Sequence, residues 1–192
     1  MTAAVGFVVA GGRSLRMGRD KALLPWAAST LLDDAIVRLR LVCPDVRILC
    51  GPVPRYADRG LPLVTDRIDG AGPLAGLEAA LVAAAGRPAL VLGVDLPFVT
   101  TRTLAFLLGR LEGADAVVPA PEQMPQPLCA AYSASCLPAI QARLAAGERR
   151  MTSFWPEVSV RRLASSDFAP FGDPRDLFRN LNTPEDLQRA RT

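Results

Sequence analysis

The feature that most constrains the fold is the run from Val5 to Val9, VGFVV, halted by Ala10, Gly11 and Gly12. A short, continuous apolar run of β-branched and aromatic residues cut off by glycine reads as a strand buried on both faces, the kind found inside parallel sheets. In open α/β sheets ligands bind beyond the carboxyl ends of such strands. A glycine pair at that point lets backbone approach a ligand with no side chain in the way. The loop that follows sets the sign of that ligand. Arg13, Arg16, Arg19 and Lys21 face a single acid, Asp20, so the local field is positive and suits a polyphosphate. Neither familiar phosphate loop is present. Five residues separate Gly12 from Gly18 and Arg19 follows, so there is no GxxxxGK[ST], and glycines 11, 12 and 18 do not make GxGxxG.

Similar apolar runs recur along the chain, alternating with helical spacing, which predicts an α/β fold with a mainly parallel sheet. Val46 to Cys50 reads as the second strand and Leu61 to Thr65 as the third, ending at Asp66. Pro88 to Val94 reads as a strand carrying Asp95 at its end, and further strands are expected at 115–119, Leu128 to Tyr132 and Val158 to Leu163. Leu23 to Trp26 reads as a short extended piece. Thr30 then opens a helix, with Asp33 in the acid position of a capping box, and Pro44 stops it. Other helices are expected after Pro73, from about Thr101 to Leu111, from Leu137 towards Gly147, and after Thr183, which is followed by Pro184 and two acids. The proline-bearing stretch from Ala120 to Pro127 reads as a loop, because an apolar strand resumes at once.

With 192 residues, half of them apolar, the chain fits a single domain spanning 1–192. A formal charge of +3 with no lysine-rich tail argues against nucleic acid. No secretory signal or membrane-length apolar segment is found, so a cytoplasmic protein is expected. Cys43, Cys50, Cys129 and Cys136 match no common zinc spacing and read as reduced core residues. The chain has no histidine, which excludes His-based acid–base catalysis, a catalytic triad and His-ligated zinc. Asp95, at the end of a buried strand, stands where a phosphate-bound Mg²⁺ can be held by hard oxygen ligands, although taken alone it reads as a turn-making aspartate ahead of Pro97.

Several stretches together resemble one family. AGGRSLRMGRDKALLP, GPLAG, VDLPF and FRNLNTPED stand in the order found in the molybdenum cofactor guanylyltransferase (MobA) family of GT-A-like nucleotidyltransferases. The resemblance runs from Val5 to Leu187. It implies a Rossmann-like three-layer sandwich of the nucleotide-diphospho-sugar transferase type, with a nucleotide-binding amino-terminal half and an acceptor-binding carboxyl-terminal half. It implies transfer of GMP from GTP to the terminal phosphate of molybdopterin, with release of pyrophosphate. Carried over by position, Val9, Ala10, Gly11 and Gly12 form the nucleotide loop, whose amides hold the triphosphate. Lys21 sits on the phosphates with Arg16 as a basic helper, Asp66 lies in the nucleotide pocket, Asp95 holds Mg²⁺, and Asn180 and Asn182 face the acceptor pterin. Asp69 reads as holding its turn, and Arg149 and Arg150 as a solvated edge. The implied partners are GTP and molybdopterin, with transient contact to other cofactor-biosynthesis proteins or apo-molybdoenzymes. The family has an asparagine near the end of the second strand, where this chain has Cys50 and Gly51, so the base contact stays open. A CTP-using or sugar-phosphate relative, or a non-catalytic nucleotide-binding protein of the same fold, remain the alternatives.

Overall fold

The structure is a computed structural model that describes residues 3–11, 20–68 and 70–190. Gly12, Arg13, Arg16, Gly18, Arg19 and Asp69, all singled out in the sequence, lie outside the described residues. The elements in chain order begin with β1 (Val5–Val9), β2 (Pro25–Trp26), β3 (Ser29–Thr30), α1 (Leu31–Arg40), β4 (Asp45–Gly51) and β5 (Leu63–Thr65). They continue with α2 (Pro73–Ala84), β6 (Ala89–Gly93), α3 (Thr101–Gly109), β7 (Ala116–Pro119), β8 (Cys129–Tyr132), α4 (Leu137–Ala145), β9 (Val160–Leu163), α5 (Pro174–Leu177) and α6 (Pro184–Arg189).

Seven of the strands form one sheet in the order β5-β4-β1-β6-β8-β7-β9. β5, β4, β1 and β6 run parallel, β8 is antiparallel to both β6 and β7, and β9 is parallel to β7. From β1 the chain winds outward through β4 to β5, then returns to lay β6 on the other side of β1. The winding therefore reverses between β1 and β6, which opens a crevice beyond their carboxyl ends.

Alternate residues of the central strands feed two cores. Val8, Leu90 and Leu92 pack with Leu32, Leu39 and Leu104 of α1 and α3, while Phe7 and Val91 pack with Leu74, Leu81 and Ile140 of α2 and α4. This burial on both faces explains why the strands read as unbroken apolar runs. At Gly6 an added Cβ would lie 3.3 Å from Leu39 and Cys43, so α1 sits close on β1.

Some local expectations are revised. Lys21–Leu23 is a turn of 3₁₀ helix, and Pro25–Trp26 pairs with Ser29–Thr30 as a small hairpin rather than a lone extended piece. Asp20 drives this, because its side chain caps the turn by accepting from the Ala22 N–H at 3.1 Å. Thr30 does cap α1, accepting from the Asp33 N–H at 3.2 Å. The return bond of the box is different: the Asp33 carboxylate takes the Thr30 hydroxyl at 2.6 Å instead of the cap's backbone N–H. At α6 the full reciprocal box is present between Thr183 and Asp186. α1 ends at Arg40, ahead of Pro44, because the residue before a proline is disfavoured in helical conformation.

Candidate active site

Four parallel strands deliver their carboxyl ends to one edge. Gly11 leaves β1, Gly51 ends β4, Asp66 follows β5 and Asp95 follows β6. Asp66 and Asp95 lie at opposite ends of this row, three strand spacings or about 14 Å apart, with the Ala10–Gly11 turn between them.

The turn is packed on β4. The N–H groups of Ala10 and Gly11 both donate to the Leu49 carbonyl, at 3.0 and 2.9 Å. An added Cβ on Gly11 would fall 2.5 Å from the Gly51 nitrogen and 2.8 Å from its Cα. The amides of Ala10 and Gly11 thus donate to the sheet, which holds the turn against β4. In sequence, the basic loop at 12–19 follows.

Just beyond that loop, Lys21 Nζ stands 3.5 Å from Asp95 Oδ2 and donates to Asn182 Oδ1 at 3.1 Å. Three stretches remote in sequence thus meet at one ammonium group. The Asp95 side chain keeps a quarter of its surface open. Its Oδ1 occupies space that only glycine leaves, since an added Cβ on Gly93 would lie 2.5 Å away. A partly open carboxylate here could give one oxygen ligand to a divalent cation that takes others from phosphates.

The carboxyl-terminal motif is laced to the same loop. The Leu181 N–H donates to the Asp95 carbonyl at 2.9 Å, which places Asn180 and Asn182 on either side of the anchored residue. Arg179 lies over the Phe98 ring, 4.3 Å from its centroid, and Trp26 meets that ring edge-on at 5.5 Å. The hairpin after Lys21, the loop after Asp95 and the asparagine segment are therefore clamped by one cation–aromatic cluster. On the far side of Asp95, the Gly93 N–H donates to the Leu128 carbonyl at 2.7 Å, which brings the Gln126–Leu128 segment alongside.

Sequence reasoning missed a second group. Tyr56, left-handed at φ 70°, donates its hydroxyl to Asp20 Oδ2 at 2.8 Å, and Arg55 Nη1 reaches the same oxygen at 3.1 Å. Burial, then the bond to Asp20, pushes the Tyr56 phenol upward, so it stays a donor. The group fixes the residue before Lys21. No local signal pointed to it, because Asp20 and Tyr56 are 36 positions apart.

Asp66 anchors through its N–H, which donates to the Gly51 carbonyl at 2.9 Å, and its Oδ1 faces Gly76 in the first turn of α2. Arg67 beside it is tied to the buried Glu78 at 2.9 Å. Cys50 offers nothing to a ligand, since its thiol is buried and turned to the carbonyls of Ile48 and Arg55. All four cysteines are free and buried, and burial pushes the Cys129 thiol up to about 12.

Residues 6–161 match the MobA-like NTP transferase domain. The chain belongs to that family. Among its relatives, a probable molybdenum cofactor guanylyltransferase of Pelotomaculum thermopropionicum is 37% identical over all of this chain and 93% of its own length. A protein of the same description from Deinococcus radiodurans is 39% identical, covering 94% of this chain and 90% of its own. Among solved structures, the molybdopterin-guanine dinucleotide biosynthesis protein A of Archaeoglobus fulgidus superposes with a TM-score of 0.82 at 25% identity, covering 97% of this chain and 96% of that one. For this family member, the conjunction of Lys21, Asp95 and Asn182 is the centre of the candidate site.

Proposed function

We propose that the protein is a molybdenum cofactor guanylyltransferase, moving GMP from GTP to the terminal phosphate of molybdopterin. The observation that carries this reading is the meeting of Lys21, Asp95 and Asn182 at the mouth of the crevice between β1 and β6. Its family and the full-length relatives give the chemistry.

In the reaction a phosphate oxygen of the acceptor attacks the α-phosphorus of GTP. The bond from that phosphorus to the bridging oxygen breaks, and pyrophosphate leaves with the electron pair. The attacking phosphate monoester is largely ionised near neutral pH, with a second pKa of about 6. The chain needs no strong base, which agrees with the absence of histidine. Its task is alignment and charge neutralisation. Asp95 would hold a divalent cation, Mg²⁺ in our reading, which when bound supplies Lewis-acid neutralisation of phosphate oxygens. Lys21 adds a positive charge whose position is set by Asp95 and Asn182. Asp66 bounds the nucleotide side of the site, and Asn180 with Asn182 the acceptor side. Gly11 keeps the turn after β1 close to β4, and Arg16 would add a second positive charge for the phosphates. A single-domain protein acting in the cytoplasm, where GTP is at hand, completes the proposal.

The test is pyrophosphate release with molybdopterin and either GTP or CTP. Turnover with GTP, lowered about a hundred- to a thousand-fold in Lys21→Ala and in Asp95→Ala, is expected. Folded variants with wild-type turnover would remove these residues from the chemistry. Preference for CTP would replace guanylate with cytidylate, and nucleotide binding without pyrophosphate would leave a sensor.

A further inference from the structure

Arg38 is a charged residue buried among the apolar contacts of α1. It projects from α1 and is only 9% exposed. Its Nη1 donates to two carbonyls of the segment that follows Asp95, those of Leu96 at 2.9 Å and Val99 at 2.7 Å. Its Nη2 lies 2.8 Å from Asp34 Oδ2, one turn back on α1. Burial acts to lower the Arg38 pKa and Asp34 works against it.

A buried guanidinium is a poor way to add stability, because an apolar side chain of similar volume often does as well or better. What it does provide is two directed donors to backbone that has left the sheet. Leu96 and Val99 are themselves buried, so their carbonyls have no water to turn to. Without Arg38 the segment 95–99 keeps its own turn bonds, Leu96 N–H to Gly93 and Val99 N–H to Leu96, at 3.2 and 3.4 Å. The second is near the outer limit for a hydrogen bond. The strap from Leu181 to the Asp95 carbonyl and the packing of Arg179 and Trp26 on Phe98 remain as further restraints.

We propose that Arg38 is a positioning residue. From beneath the sheet edge it holds the backbone on which Asp95 is carried, so that the carboxylate faces Lys21 across the mouth of β1. This rests on the role assigned above to Asp95. Asp34 keeps the guanidinium turned, leaving Nη1 for the two carbonyls. The arrangement lets α1, which offers nothing to the substrates directly, set the geometry of the phosphate-facing carboxylate.

The test uses Arg38→Met, Arg38→Lys and Asp34→Asn with two readouts. One is amide hydrogen exchange of the ligand-free protein. The other is the separation of kcat from KM for GTP. In Arg38→Met, exchange at 95–99 and at Leu181 should quicken at least about tenfold while amides of β1 and β6 keep wild-type rates, because local opening is independent of the core. Its kcat should fall about 10- to 100-fold, the scale of a 1 Å misplacement, with KM for GTP within about threefold. Arg38→Lys should recover part of both, since an ammonium has three donors but no fixed fork. Faster exchange throughout the sheet, or a wild-type kcat in a folded Arg38→Met, would overturn the proposal. If Arg38→Met fails to fold, Asp34→Asn decides. A several-fold loss of kcat with faster exchange confined to 95–99 supports the role, and wild-type values for both end it. Asp95→Asn is measured in parallel. Full turnover there would refute the assignment of Asp95, while the exchange data would still report on Arg38.

Discussion

Replacing Gly11 by alanine is the sharpest single test of how the site is built. The new methyl would lie 2.5 Å from the Gly51 nitrogen, 2.8 Å from its Cα and 2.9 Å from the Cys50 carbonyl carbon. All three are backbone, so no side chain can swing aside. The ends of β1 and β4 must part by about 1 Å to restore van der Waals contact. That movement strains the two bonds by which Ala10 and Gly11 reach Leu49. Overpacking of this kind costs about 1–3 kcal/mol. In a chain of this length the melting temperature should fall by about 3–10 °C. Ala10 and Gly11 move with it at the carboxyl end of β1, beside the candidate site, so kcat/KM for GTP should drop more than stability alone predicts, about a hundredfold for a 1 Å displacement. The control is Gly109→Ala, where an added Cβ meets nothing within 4 Å. It sits in a helix and should be neutral or stabilising by up to about 1 kcal/mol. Thermal melts and pyrophosphate release measured on both variants decide the matter. A Gly11→Ala protein that melts and turns over like the wild type would refute the argument that bare backbone contact between β1 and β4 sets the turn.

Two further outcomes are expected. Gly93→Ala brings a methyl 2.5 Å from Asp95 Oδ1 rather than from backbone, so the carboxylate can rotate away. Melting should change little while kcat falls about 10- to 100-fold, and equal losses of stability and activity would count against a steric cradle for Asp95. Asp45 hydrogen-bonds Arg47 and also pairs with Arg87, which together pull its carboxyl down to about 2 from 3.8 despite some burial. A folded-state pKa below the unfolded one means that its stabilisation is present above pH 4 and is lost as pH falls from about 4 towards 2. The difference in urea midpoint between wild type and Asp45→Asn should therefore shrink across that interval, and a difference independent of pH would show that the pairs contribute nothing.

Much of the sheet was legible because its strands are buried on both faces and therefore read as unbroken apolar runs. VGFVV, LCG and ALVLG announce strands wherever they are met, and the acid or glycine after each marks the edge where the chain turns back. Lys21 and Asp95 stood out through the motifs around them, and the structure brings the two side chains together. Arg38 did not stand out. It follows Asp34 at i+4 and so looks like half of a surface ion pair, although its place seven residues after Leu31 puts it on the apolar stripe of α1, a signal that was available. The link between Tyr56 and Asp20 left no trace in sequence, because nothing local distinguishes a phenol that will cross the sheet edge from one that will face water.

The amino-acid order by itself determined the alternation of strands and helices, the concentration of glycine and positive charge after the first strand, and the exclusion of histidine chemistry. These depend on neighbours within a turn or a strand, where pattern and propensity act directly. The tertiary structure alone decided that Lys21, Asp95 and Asn182 meet, that the amides of Ala10 and Gly11 donate to Leu49, and that Arg38 donates to the backbone beyond Asp95. Each of these joins segments brought together by the order of strands in the sheet, and that order is set by the packing of whole faces, to which no single stretch of sequence has access.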